Sequence, residues 1–116
     1  MYRARERLKV IHTKISFIES ICQEEGSITK ALADEKRSRA SILMHLISIA
    51  EQFSRLSDEA EFNILSRFDR RDIRGSYDVR NYIAHDYEGV NLSVIEQIIR
   101  DKLPKIKSIV EEILED

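Results

Sequence analysis

An arginine and a histidine five positions apart, Arg80 and His85, are the residues of this chain whose types best suit chemistry. Arginine keeps its positive charge at any physiological pH, and histidine can donate or accept a proton near neutrality. A fixed cation and a proton carrier together suit the cleavage of a phosphodiester without a metal ion. In RNA, the neighbouring 2′-hydroxyl would serve as the nucleophile.

A regular helix would not by itself bring these two side chains together. At about 100° per residue, His85 shares a face with Asn81, whereas Arg80 lies about 140° away from His85 around the helix. The long Arg80 side chain, unwinding near His85, or a second copy of the chain in a symmetric dimer would close this gap. Periodicity alone leaves a structural or solvated role for both residues open.

The segments around this pair have the apolar spacing of helices. Apolar side chains recur at steps of three and four over about residues 3–22 and again over about residues 28–56, which predicts two helices. The charged residues 34–39 of the second helix are expected along the surface or against a partner. A short helix near residue 62 follows, and Asp58 is a candidate for its N-cap.

Two further helices complete the pattern. The first spans about residues 73–87 and is expected to end at Gly89, because glycine readily adopts the backbone conformation that closes a helix. The second begins after Asn91, whose side chain can cap it. Pro104 lies inside this last pattern, so a kink or break is expected near residues 101–103.

Composition agrees with an all-helical fold. The 116 residues include three glycines and one proline, too few for the many turns of a sandwich or barrel. The sequence therefore predicts an all-α, up-and-down bundle of four to five helices, forming a single domain over residues 1–116.

Charge and residue usage limit the partners and the compartment. Nineteen lysines and arginines against 21 aspartates and glutamates give a net charge of −2, so any attraction for nucleic acid must be local. Residues 67–80 carry more positive than negative charges, which could steer RNA or simply form a paired helix surface. A lone cysteine, no apolar run of about 20 residues and no signal-peptide pattern predict a cytoplasmic protein without membrane contact. Neither His12 nor His45 has a partner at ligand spacing, so no metal site is expected.

The residues around the arginine and histidine match a known signature. Residues 80–87, RNYIAHDY, resemble the Arg-x4-His-x-Tyr motif of HepT-like toxins in the HEPN family. The flanks agree as well, with DIRG at residues 72–75 before the motif, and Asn-Leu at residues 91–92 and Leu-Pro at residues 103–104 after it. The resemblance covers about residues 69–114 and implies a HEPN-like helical bundle.

What the resemblance implies is the toxin of a toxin-antitoxin pair, acting as a metal-independent endoribonuclease without a cofactor. Arg80 would polarise the scissile phosphate and stabilise the charge of the transition state. His85 would act as general acid or base, and Asn81 would orient it or the phosphate. Cleavage would then leave a 2′,3′-cyclic phosphate.

The same resemblance implies partners and further contacts. Tyr87 would be the residue to which an MNT-type nucleotidyltransferase antitoxin attaches AMP, although a tyrosine there could equally hold two helices together. Arg74 could contact single-stranded RNA, and Tyr77 or Tyr82 could stack on a base or pack in the core. A homodimer is expected, since it would bring two copies of the motif into one cleft.

Two other functions remain open from the sequence. One is a non-catalytic HEPN module that docks a partner nucleotidyltransferase and needs no intact Arg80 and His85. The other is a helical adaptor whose charged helix, residues 31–39, binds a protein partner.

Overall fold

The computed structural model describes residues 2–116, and every regular element within that range is helical. The α-helices are α1 Tyr2–Glu25, α2 Ile28–Ala33, α3 Ser38–Asp58, α4 Phe62–Leu65, α5 Arg70–His85, α6 Leu92–Gln97 and α7 Leu103–Glu115, with a π-helical turn Ile98–Lys102 joining the last two. The predicted all-α bundle is therefore confirmed. Among residues 2–116, no helix is long and apolar enough to cross a membrane.

The core is built from one apolar row on each long helix. Helix α1 buries Leu8, Ile11 and Ile15 against α3 and α7, as its spacing predicts. Helix α3 contributes Phe53, whose ring meets the edge of Phe68 at a centroid distance of 5.1 Å. Each such side chain contributes about 1.5–3 kcal/mol to stability when it leaves water, so burial of these rows holds the long helices together.

The prediction of one helix over residues 28–56 is wrong, because the chain leaves the helix between α2 and α3. Asp34 has φ −81° and ψ 84°, and its N–H turns back to the carbonyl of Ala31. The Arg39 side chain donates from Nε to the carbonyl of Leu32 at 2.7 Å, which satisfies the end of α2. The continuous charged helix on which the adaptor hypothesis rested is therefore absent from this segment.

The start of the short helix α4 also differs from the prediction. Asp58 is the last residue of α3, and Glu61 precedes α4 instead. The apolar face of α3 continues to the buried Leu56, so packing carries that helix past the predicted turn. The chain then reverses through Ala60, which has a φ of 57°.

The predicted kink or break near residues 101–103 is a wide turn in a helix that continues. The N–H of Leu103 bonds the carbonyl of Ile98, five residues back, in the π-helical pattern. Proline lacks an N–H, and its ring clashes with the carbonyl four residues earlier in a regular helix. The wider turn relieves that conflict before Pro104, so that Leu103 and Ile106 still reach the core.

Helix α5 is attached to the bundle along one face, on which Ile73, Tyr77 and Val79 are partly buried. Its buried residues are Ile83, which is 1% exposed, and Asp72, and it packs mainly against α3. The Asp72 carboxylate lies 3.0 Å from Lys105 Nζ and 3.4 Å from Lys102 Nζ, which ties the start of α5 to the last helix. Beside these ion pairs, a mainly apolar cavity of about 280 Å³ lies between α5 and the chain from α6 to α7, with Leu46 and Ile49 of α3 also in its wall.

The Asp72 ion pairs should stabilise the position of α5. We expect Asp72→Asn to lower the free energy of unfolding by about 1–2 kcal/mol, because the carboxylate is buried whereas both lysines stay half in water. The matched control is Asp101→Asn, at an exposed position of the π-helical turn, with an expected change under about 0.5 kcal/mol. Urea unfolding measures both, and equal effects would contradict a structural role for Asp72.

Candidate active site

Helix α5 begins at a cap that orders its basic first turn. The Asp69 carboxylate accepts the backbone N–H of Arg71 at 2.9 Å and pairs with the Arg71 guanidinium at 3.1 Å. The Arg71 side chain, together with that N–H, holds the pKa of the Asp69 carboxyl well below its ordinary value. The helix therefore starts three residues before the predicted position, at Arg70.

The end of α5 falls within the motif. His85 is the last helical residue, and Asp86 leaves the helix with φ −147° and ψ 75°. The predicted end at Gly89 is wrong, since Gly89 lies in the following turn. Tyr87 is consequently a loop residue and does not share a helical face with Arg80.

The side chain of Arg80 is half-buried and has two neighbours on its own helix. Its guanidinium carbon lies 5.3 Å from the centre of the Tyr77 ring, and Nε donates to Asn81 Oδ1 at 3.4 Å. Partial burial raises the pKa of the Tyr77 hydroxyl. A ring in contact with the guanidinium gives Arg80 a support that limits where its charge can point. Asn81, predicted to orient His85 or the phosphate, contacts Arg80 in this conformation.

His85 lies on the exposed side of α5, in line with other polar residues. Arg74, Asp78, Asn81 and His85 follow the spacing of one helical face, and all four are exposed. We call these four residues the polar stripe. It places the predicted RNA contact Arg74 on the same side of the helix as His85, three turns apart.

Arg80 and His85 remain in one regular helix, so the angular gap between them persists. Unwinding begins only after His85. The reach of the Arg80 side chain and a second copy of the chain are therefore the two remaining ways to bring the groups together. Neither group is buried, and both are open to a ligand at the surface.

The loop that follows α5 carries Tyr87 and is held by Tyr82. The Tyr82 hydroxyl accepts the N–H of Asn91 at 3.0 Å and donates to the carbonyl of Gly89 at 3.3 Å. The sequence analysis predicted that Tyr82 contacts RNA or packs in the core. No local sequence pattern predicts its bond to a residue nine positions away. The side chain of Tyr87 is 42% exposed, so an enzyme that modifies tyrosine could reach it.

The side chains that could bind a metal ion are not clustered in the part of the chain that the structure describes. Within residues 2–116, no group of three or more His, Cys, Asp and Glu side chains is arranged to hold a metal ion. The Nε2 atom of His12 instead lies 2.9 Å from Glu111 Oε2, between α1 and α7. His45 contacts the ring of Phe17, and burial together with Lys14 lowers the pKa of its imidazole.

A match to a protein-family model identifies the family of this chain. Comparison with curated proteins and with solved structures gave no match. The family model described as Ribonuclease HepT-like matches residues 11–113, which include α5, the polar stripe and the loop after it. The chain belongs to this HepT-like ribonuclease family.

Proposed function

We propose that the protein is a metal-independent endoribonuclease and the toxin of a cytoplasmic toxin-antitoxin pair. The observation that carries this proposal is a solvent-accessible arginine and histidine on the last turns of one helix, in a chain of a ribonuclease family. Both groups meet solvent on a rigid element. A catalytic pair needs such access and such support.

The chemistry divides between the two side chains. Arg80 binds the scissile phosphate and stabilises the negative charge that builds up on its oxygens in the transition state. His85 takes the proton of the RNA 2′-hydroxyl as that oxygen attacks the phosphorus, or delivers a proton to the leaving 5′-oxygen. The P–O5′ bond breaks, and the products are a 2′,3′-cyclic phosphate and a free 5′-hydroxyl.

The polar stripe provides a path for the rest of the strand. Arg74 lies three turns before His85 on the same face, about 16 Å away along the helix axis at 1.5 Å per residue. A backbone phosphate bound by Arg74 would lie along the same surface as the scissile one. Contacts to phosphates position a strand without reading its sequence, so Arg74 would support binding more than specificity.

The first test is cleavage of single-stranded RNA by the purified protein in EDTA. We expect Arg80→Ala and His85→Ala to lower the cleavage rate by about a hundredfold or more, because each removes a group that acts in the transition state. The matched controls are Arg37→Ala, in the exposed turn before α3, and His12→Ala, on α1. DNA of the same sequence should remain intact.

The outcome of this test also separates the proposal from its rival. Equal rates in the Arg80 and His85 variants and the controls would contradict the mechanism. A wild-type protein that leaves RNA intact but binds a nucleotidyltransferase tightly would favour a non-catalytic docking module instead.

A homodimer is the second part of the proposal, because a second copy would bring Arg80 of one chain to His85 of the other. Light scattering at micromolar concentration should give a dimeric mass. Mixing the Arg80→Ala and His85→Ala proteins should then restore about a quarter of wild-type activity, since half of the dimers are mixed and each holds one intact composite site. A monomeric mass, or mixtures as inactive as the separate variants, would contradict a site shared between copies.

Tyr87 is proposed as the point of control by an MNT-type nucleotidyltransferase antitoxin. Tyr87 is exposed on the loop that leaves His85, so an attached AMP would add negative charge beside the site and repel the RNA backbone. Co-expression with a nucleotidyltransferase encoded beside the gene should add one AMP to the intact mass, and Tyr87→Phe should abolish that addition. Tyr2→Phe, at an exposed tyrosine of α1, is the control. Undiminished AMP addition in Tyr87→Phe would contradict this assignment.

A further inference from the structure

The loop between α5 and α6, residues 86–91, buries few apolar side chains. Val90 is buried, whereas Asp86, Tyr87, Glu88 and Gly89 are exposed. A surface loop with so little burial is expected to sample several conformations unless hydrogen bonds restrain it. The restraint therefore has to come from polar groups.

One tyrosine hydroxyl supplies the central restraint. Tyr82 lies on the last turn of α5, and its hydroxyl bonds two backbone groups of the loop at once, the N–H of Asn91 and the carbonyl of Gly89. Asn91 in turn caps α6, accepting the N–H groups of Ser93 and Val94 with its side-chain oxygen. The hydroxyl thus connects the end of one helix to the cap of the next.

A second contact closes the near side of the loop. The Asp86 carboxylate accepts the N–H of Gly89 at 3.0 Å. A Cβ on Gly89 would overlap that carboxylate, so any other residue at position 89 would make the Asp86 side chain move aside. Together with the two Tyr82 bonds, this contact defines what we call the Tyr82 clamp, formed by Tyr82, Asp86, Gly89 and Asn91.

We propose that Tyr82 is a positioning residue for the active site and not a residue that contacts RNA through its hydroxyl. The clamp holds the chain as it leaves the helix, so that His85 stays the last helical residue and Tyr87 keeps a fixed place beside it. This role rests on the proposed function. A misplacement of about 1 Å in a catalytic group lowers the rate by up to about a hundredfold. A loosened clamp should therefore lower the rate of the chemical step.

Tyr82→Phe removes the hydroxyl and keeps the ring, so it tests the clamp directly. We expect kcat for RNA cleavage to fall by about tenfold and KM to change by less than about twofold, because the loss is in positioning and not in binding. Amide hydrogen exchange at Asn91 should become about tenfold faster, with the thermal unfolding midpoint nearly unchanged. Tyr2→Phe, which removes an exposed tyrosine hydroxyl on α1, should leave all of these values as they are.

Gly89→Ala is a second variant that leaves the tyrosine intact. Its methyl group displaces the Asp86 carboxylate, so exchange at Asn91 should again become faster and kcat should fall. The same direction in both variants would attribute the effect to the clamp and not to the tyrosine ring.

The two readouts separate the possible failures. Unchanged exchange at Asn91 in Tyr82→Phe would overturn the clamp, and faster exchange with unchanged kcat would overturn its role in catalysis. Exchange needs no RNA. A wild-type protein that left RNA intact would therefore overturn the proposed function and the positioning role with it, while exchange at Asn91 would still decide whether Tyr82 holds the loop.

Discussion

The attachment of α5 to the bundle by one of its faces is the constraint from which the rest of the site follows. Ile83 fixes the second half of the helix in the core, and the Asp72 ion pairs fix the first half to the last helix. Ile73, Tyr77 and Val79 pack on the core along the same side, so the opposite side of the helix remains in water. The polar stripe therefore lies in water, and its exposure removes no side chain from the core. Arg80 lies between the buried and the exposed sides of the helix.

The end of the same helix adds the second requirement of a site, a defined boundary between regular and irregular backbone. His85 belongs to the rigid element, whereas Tyr87, two residues later, belongs to a loop that an enzyme can reach. A site of this construction can combine a fixed proton carrier with a modifiable residue nearby. Because the loop buries little apolar surface, its few polar contacts have a large share in holding its conformation.

Sequence reasoning predicted the fold class correctly because apolar spacing is local information, and it named the candidate pair from residue types and a motif that are also local. Apolar spacing predicts α1, α3 and α7, and the residue types at positions 80 and 85 indicate what chemistry they could perform. The break between α2 and α3 was missed because it depends on Asp34 turning back on α2 and on Arg39 reaching the Leu32 carbonyl, contacts that no spacing pattern encodes. A π-helical turn stands where a kink or break was predicted, since neighbouring apolar residues keep the helix in the core. The role of Tyr82 stayed hidden because its partners lie in a loop whose course the sequence does not reveal.

The most direct measurement of the central claim uses an RNA strand with a single 2′-deoxy nucleotide at a mapped cleavage position, incubated with the wild-type protein in EDTA. Attack by the 2′-hydroxyl under the control of Arg80 and His85 requires that oxygen, so we expect cleavage at this position to disappear while other positions are still cut. Undiminished cleavage at the deoxy position would show that water or another nucleophile attacks the phosphorus. That result would contradict the proposed roles of the arginine and the histidine.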